Sequence, residues 1–170
     1  QGDVYGGEYG ETLTGVMLTA PYATTFRNDG SFSGGNMLGR WTHAFSRSET
    51  SLQVYFDRAN NAATSLLNVH LHTYDVDFQH DIRVSPNQEW IWGVGYRSMH
   101  DRAEADRYVT LEPGHRTWSL FSTFAQTELA LLQQRLRITL GSKFEHNDFT
   151  GFEMEPNGRM LWNLGPAQSI

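Results

Sequence analysis

His70-Leu71-His72 places two imidazoles at alternate positions. On an extended strand such residues project to the same side, which is the spacing of a bidentate metal clip. Zinc and similar ions require further ligands, and the sequence marks none. Without one, the pair reads as two exposed histidines on a loop or strand end. Just downstream, Asp75, Asp77 and Asp81 share a parity with Gln79 and Arg83. Three carboxylates on one face could gather a cation. More simply, they form a solvated wall hydrogen-bonded to Arg and Lys of neighbouring strands. Glu153 and Glu155 also share a face, at a spacing common in strands, and Asp101, Glu104 and Asp106 belong to a polar loop. No G-x-S-x-G, H-E-x-x-H or P-loop pattern occurs, and nothing in the sequence pairs a serine with a histidine. The expectation is a protein that is not an enzyme, with no catalytic residues and no cofactor, in which His70 and His72 are the only metal candidates.

The elements that must position these residues are strands. In 136–145, LRITLGSKFE, the residues Leu136, Ile138, Leu140 and Phe144 share one parity. Arg137, Thr139, Lys143 and Glu145 share the other. A strand of this kind has one greasy and one charged face. The stretch 72–84 repeats the pattern, with Tyr74, Val76, Phe78, Ile82 and Val84 opposite the acidic face. So do 35–45 with Met37, Trp41 and Phe45, 51–60 with Leu52, Val54 and Phe56, and 89–99 with Trp90, Trp92, Val94 and Tyr96. In 117–132 the alternation blurs, and a helix over 123–134 competes because Ala, Gln, Glu and Leu favour it. A last strand follows Gly151. Residues 1–33, rich in Gly and Thr with a short apolar patch at Val16-Met17-Leu18, read as a strand end and a long loop. The expected fold is therefore all-β, an antiparallel up-and-down meander of about seven strands over 34–164. The whole chain, 1–170, reads as a single segment.

The connections are asymmetric. The turns at 46–50, 85–88 and Gln133-Gln134 are tight. Those near 59–69, 101–117 and 146–152 alternate with them, and two are longer. Short turns on one rim and longer loops on the other are the habit of an outer-membrane barrel. Trp41, Phe45, Trp90, Trp92, Tyr96, Trp118 and Trp162 mostly fall at or near strand ends, as aromatic girdles do. A soluble antiparallel sandwich with an aromatic core fits the alternation equally well.

Composition narrows the classes. No run of eighteen apolar residues exists, so no helix spans a membrane, and a mean hydropathy of -0.50 is no obstacle to a barrel. A barrel strand needs only about ten residues, every second one apolar. The formal net charge of -6 argues against a nucleic-acid partner, which would call for clustered Lys and Arg. With Cys 0, disulfide and thiol chemistry are excluded. The chain opens on Gln1-Gly2-Asp3 without an initiator Met or a leader and stops at Ile170, and is expected to be a processed chain or a fragment of a longer protein.

Ordered phrases add a resemblance. Phe124, Gln126, Glu128 and Leu129 match a strand of the type F-x-Q-x-E-L. Ile138, Leu140, Gly141, Lys143, Glu145, His146, Asn147, Thr150 and Gly151 match the strand that follows it. Glu153, Pro156, Arg159 and Trp162 match a third. Together with SGGNMLGRWTHAFS, LQVYFDR, TYDVDFQHDI and WGVGYR, they resemble the barrel of TonB-dependent outer-membrane receptors over 34–162. The resemblance implies part of a transmembrane β-barrel in the bacterial outer membrane. Its greasy face would meet lipid. Its lumen-facing residues would be Asp75, Asp77, Gln79, Asp81, Arg83, Arg137, Lys143 and Glu145. The intact protein would bind a metal chelate, most often a ferric siderophore, and import it with energy passed through TonB. A complete receptor has about 22 strands and a plug domain. This chain has room for about a third of such a barrel and carries no plug. Its open edges could self-associate. The alternatives are a small complete barrel of about eight strands, or a soluble β-sandwich binding module.

Overall fold

A computed structural model of the chain describes residues 1–16, 19–63, 67–105, 111–165 and 168–169. Met17, Leu18, Thr64, Ser65, Leu66 and Asp106, which the sequence reading drew into loops, lie outside them. Eight long strands follow one another: β1 Gly2–Val16, β2 Ala23–Ala44, β3 Ser48–Ala63, β4 Leu67–Ser85, β5 Gln88–Ala105, β6 His115–Leu131, β7 Leu136–Asn147 and β8 Gly151–Gly165. A two-residue β9, Gln168–Ser169, completes them. They form one sheet in sequence order, β1 to β9. The fold is an all-β antiparallel meander, as part of a β-barrel would be.

The expected order of strands holds from residue 35 onwards. Residues 117–131 are strand, and the helix that competed over 123–134 does not form: 123–131 belong to β6 and 132–134 to the turn that follows. The β6 ladder with β7 runs unbroken from Leu120↔Asn147 to Leu131↔Leu136, so tertiary pairing overrides local helix preference. The reading of 1–33 as a strand end and loop is corrected. β1 and the first half of β2 are a long hairpin in continuous register, from Gly2↔Met37 to Val16↔Ala23. Glycine disfavours strands because it has no side chain to pack. Here aromatic rings from the partner strand supply the missing cover. Tyr5 lies over Gly34, Tyr9 over Gly30, and the Phe32 ring reaches to 2.7 Å from where a Cβ of Gly7 would stand. Each ring and its glycine are direct cross-strand neighbours. The Tyr9 hydroxyl also donates to Asn61 Oδ1 on β3 at 3.0 Å.

The expected asymmetry of the connections holds only in part: 106–114 is long, but the connection expected near 59–69 shrinks to three residues between Ala63 and Leu67, no longer than the turns of the other rim. Residues 45–47, 86–87 and 132–135 are tight turns. In the last, Leu132, Gln133 and Gln134 all have positive φ, at 52°, 55° and 68°. The connection expected at 146–152 shrinks to 148–150 because Asn147 caps it. Its Oδ1 accepts from Phe149 N at 2.8 Å and Thr150 N at 2.9 Å, and Gly151 turns back at φ 76°. β7 thus ends where the Asn147 side chain begins to bond to the backbone that follows it.

Burial is inverted relative to a soluble domain. Among the described residues Ala63 is the only buried hydrophobic, whereas Asn28, Asp75 and Ser98 are buried polar residues. Val54, Val94, Leu140 and Met154 are 48%, 39%, 53% and 59% exposed. A sandwich would pack two sheets face to face and bury such residues. No second sheet covers them among the described residues.

The chain divides into two compact units. One comprises Gln1–Leu38, Tyr55–Tyr74 and Met99–Thr117, the other Gly39–Val54, Asp75–Ser98 and Trp118–Ile170. The first holds the Gly-aromatic hairpin. The second holds the tight turns and most of the charged face.

Candidate functional site

Alternation along β4 puts Asp75, Asp77, Gln79, Asp81 and Arg83 on one face, opposite Tyr74, Val76, Phe78 and Val84. Across to β5 this face is cross-linked. Arg97 Nε donates to Asp75 Oδ2 at 2.6 Å, and the Asp75 side chain is only 8% exposed. Arg83 Nε reaches Glu89 Oε1 at 3.1 Å, and Gln79 Nε2 donates to Asp81 Oδ1 at 3.0 Å. The burial of Asp75 is paid for by a charge-assisted bond, so the carboxylate is not left unpaired.

Two glycines on β5 make room in the middle of this face. A Cβ on Gly95 would stand 2.6 Å from Asp77 Oδ1 and 2.8 Å from Ser122 Oγ. A Cβ on Gly93 would stand 2.5 Å from the Phe124 ring. The resulting cavity, about 220 Å³, is lined by Arg40, Gln53, Asp77, Gln79, Ser122 and Phe124. Arg40 Nη2 and Nε both donate to Gln53 Oε1, at 2.7 and 3.1 Å. The sequence had named Asp77 and Gln79. It missed Arg40, Gln53 and Ser122 as members of this site, although Arg40 and Gln53 have the polar parity of their strands; around Ser122 the alternation is blurred.

The other expected polar residues lie on β7. Arg137 Nη1 is 3.3 Å from Glu128 Oε1 of β6. Lys143 pairs with Glu145 on its own strand. The β7–β8 register sets Glu145 opposite Glu153 and Lys143 opposite Glu155. Ligand atoms of Glu145, Glu153 and Glu155 all fall within 4.8 Å of one another. The Lys143 ammonium offsets this cluster, which makes it a compensated patch. The eight residues expected to share a polar wall therefore fall into a β4–β5 group and a β6–β8 group, each with opposite charges interleaved.

His70 and His72 are not joined to a carboxylate cluster among the described residues. His70 Nδ1 lies 2.8 Å from Asn60 Oδ1 of β3. The His72 ring faces Phe56 at a centroid distance of 6.4 Å. In the first unit, Arg27 Nε donates to Asp29 Oδ1 at 2.7 Å. The arrangement as a whole offers fixed donors and acceptors of both signs along a sheet face, suited to a polar solute or a polar protein surface.

No protein-family model and no curated protein matches the chain. Among solved structures it is similar to the siderophore receptor PirA from Pseudomonas aeruginosa, with a TM-score of 0.60 and 12% identity. The likeness is one of fold. It covers 95% of this chain and 31% of that receptor, so the chain spans about a third of the length of the structure it matches.

Proposed function

We propose that this chain is a segment of the barrel wall of a bacterial outer-membrane receptor, one that takes up a scarce nutrient such as a ferric siderophore with energy passed through TonB. The observation that carries this reading is the likeness of nearly the whole chain, 95% of it, to a siderophore receptor. The inverted burial supports it, because a sheet whose apolar side chains stay exposed needs an apolar medium against them. On this reading the apolar face meets lipid. Asp75, Asp77, Gln79, Asp81, Arg83, Arg137, Lys143 and Glu145 line the lumen. The connections at 17–22, 64–66, 106–114 and 148–150 are extracellular, and the turns at 45–47, 86–87 and 132–135 periplasmic. The protein binds and conveys its ligand and catalyses no reaction.

The test is genetic and biochemical. Cells lacking the gene that encodes this chain are grown under iron limitation, and uptake of radio-iron is measured for a panel of ferric siderophores. The expected result is loss of uptake of one chelate, restored by the gene only when the TonB system is intact. In the same cells the tagged protein should stay with urea-washed outer membranes. Normal uptake of every chelate would sink the siderophore reading. A protein that stays monodisperse without detergent would sink the membrane reading as well, and leave a soluble binding module.

A further inference from the structure

A group of rings and cations on the first unit lies outside the polar wall. Phe56 of β3 contacts Tyr74 of β4 at a centroid distance of 5.1 Å and His72 at 6.4 Å. Tyr74 meets His100 of β5 edge-on at 6.0 Å. These contacts put residues of three successive strands on one face. Alternation adds Arg58, two residues beyond Phe56, and Arg102, two beyond His100. β3 and β5 both run toward the rim that carries the connections 64–66 and 106–114, so the two guanidinium groups lie nearer that rim than the rings do. Arg58 is exposed, and its guanidinium has no hydrogen-bond or ion-pair partner among the described residues. The ring nitrogens of His72 and His100 are likewise unengaged there. Arg102 pairs with Glu104 at 3.0 Å, and both remain largely exposed. Asp57 and Asp101 have the opposite parity, so among the described residues of β3–β5 Glu104 is the carboxylate that alternation places beside these groups.

The patch has two levels: aromatic rings with the His72 and His100 imidazoles among them, and beyond them Arg58, without a partner among the described residues, and Arg102, paired with Glu104. An unpaired arginine is costly against hydrocarbon and favourable beside an anionic headgroup. Guanidinium matches phosphate oxygens two at a time, and imidazole adds single donors. Rings at this level suit the boundary where acyl chains meet headgroups.

We propose that this face of β3–β5 docks the phosphate-bearing headgroup of an outer-leaflet lipid. Arg58 grips the phosphate, His72 and His100 donate to it, and Phe56 and Tyr74 lie against the upper acyl chain. The inference rests on the outer-membrane reading above.

The whole protein, extracted from outer membranes in mild detergent, is incubated with diphosphoryl lipid A and with its dephosphorylated form. Retained lipid is counted by native mass spectrometry. The wild type should keep the phosphorylated lipid preferentially. The variant carrying Arg58→Gln, His72→Gln and His100→Gln should lose that retention by about fivefold or more, and Arg58→Lys alone should keep much of it. Asp57→Asn, on the opposite face, should change nothing. Heat-modifiable migration on gels reports whether each variant is folded. If the triple variant fails to fold, Arg58→Gln alone is read. Equal retention of both lipids, or retention indifferent to Arg58, would overturn the docking site while leaving the membrane reading intact. A wild type that never partitions into the outer membrane would overturn both.

Discussion

Asp75 and Arg97 divide their ion pair unequally. The carboxylate is 8% exposed and the guanidinium 49%. Removing Arg97 strands a buried charge, whereas removing the charge of Asp75 leaves an arginine that can turn to water. Arg97→Gln should therefore destabilise by about 1–3 kcal/mol, and Asp75→Asn by about half as much. Urea titration of the refolded protein in detergent checks the order, and equal losses would contradict it. Gly93 makes a second residue-scale case. A Cβ there would stand 2.5 Å from the Phe124 ring and 2.7 Å from the Phe78 carbonyl oxygen. A ring can rotate away, but a strand carbonyl cannot without disturbing the ladder. Gly93→Ala should cost about 1–3 kcal/mol, and adding Phe124→Ala should recover only part of it. Full recovery in the double variant would show that the ring alone required the glycine.

At the scale of elements, the β1–β2 hairpin depends on rings laid over glycines more than on strand propensity. Tyr9 covers Gly30 and also binds Asn61, so it ties the hairpin to β3. Tyr9→Ala should weaken the hairpin by about 1 kcal/mol. The measurement is amide exchange. Faster exchange over 2–16 with protection in β4–β7 unchanged is expected, because the hairpin lies at one edge of the sheet and can open by itself. Uniform loss of protection would mean that the sheet opens as one unit.

For the whole molecule, the decisive property is which face tolerates charge. Leu140 lies on the apolar face of β7 and is 53% exposed. In a soluble protein Leu140→Arg would be nearly neutral. Against a bilayer it should cost about 2–4 kcal/mol near mid-depth and reduce the inserted, heat-modifiable fraction. Asn157→Arg, on β8 opposite Gly141 and beside the carboxylate patch, is the control, and should insert normally. Similar behaviour of the two variants would remove the distinction between a lipid face and a lumen face. The same exposed face predicts that the chain expressed alone self-associates in detergent-free buffer, by its apolar surface and its unpaired edges. Analytical ultracentrifugation with and without detergent reads this directly.

The sequence by itself determined the order of strands from residue 35 onwards except for the blurred stretch 123–134, the positions of the turns at 45–47, 86–87 and 132–135, and the two-faced character of β4 and β7. These are local properties: alternation has a period of two, and turns are marked by Gly, Pro, Asn and Ser. It also separated Asp75, Asp77, Gln79, Asp81 and Arg83 from the greasy parity. Tertiary structure decided the rest, because it depended on neighbours distant in the chain. The glycines of β1 look like loop until Phe32 and the rings of Tyr5 and Tyr9 are seen to cross between the paired strands. Residues 123–131 look helical until β7 pairs with them. Arg97 became the partner of Asp75, and Glu145 joined Glu153 and Glu155, only through strand register. Whether the greasy face had a protein partner was likewise invisible to alternation, since a sandwich and a barrel wall share the same period. The structure adds that no second sheet of this chain covers that face, and that Ala63 is the one buried hydrophobic, among the described residues.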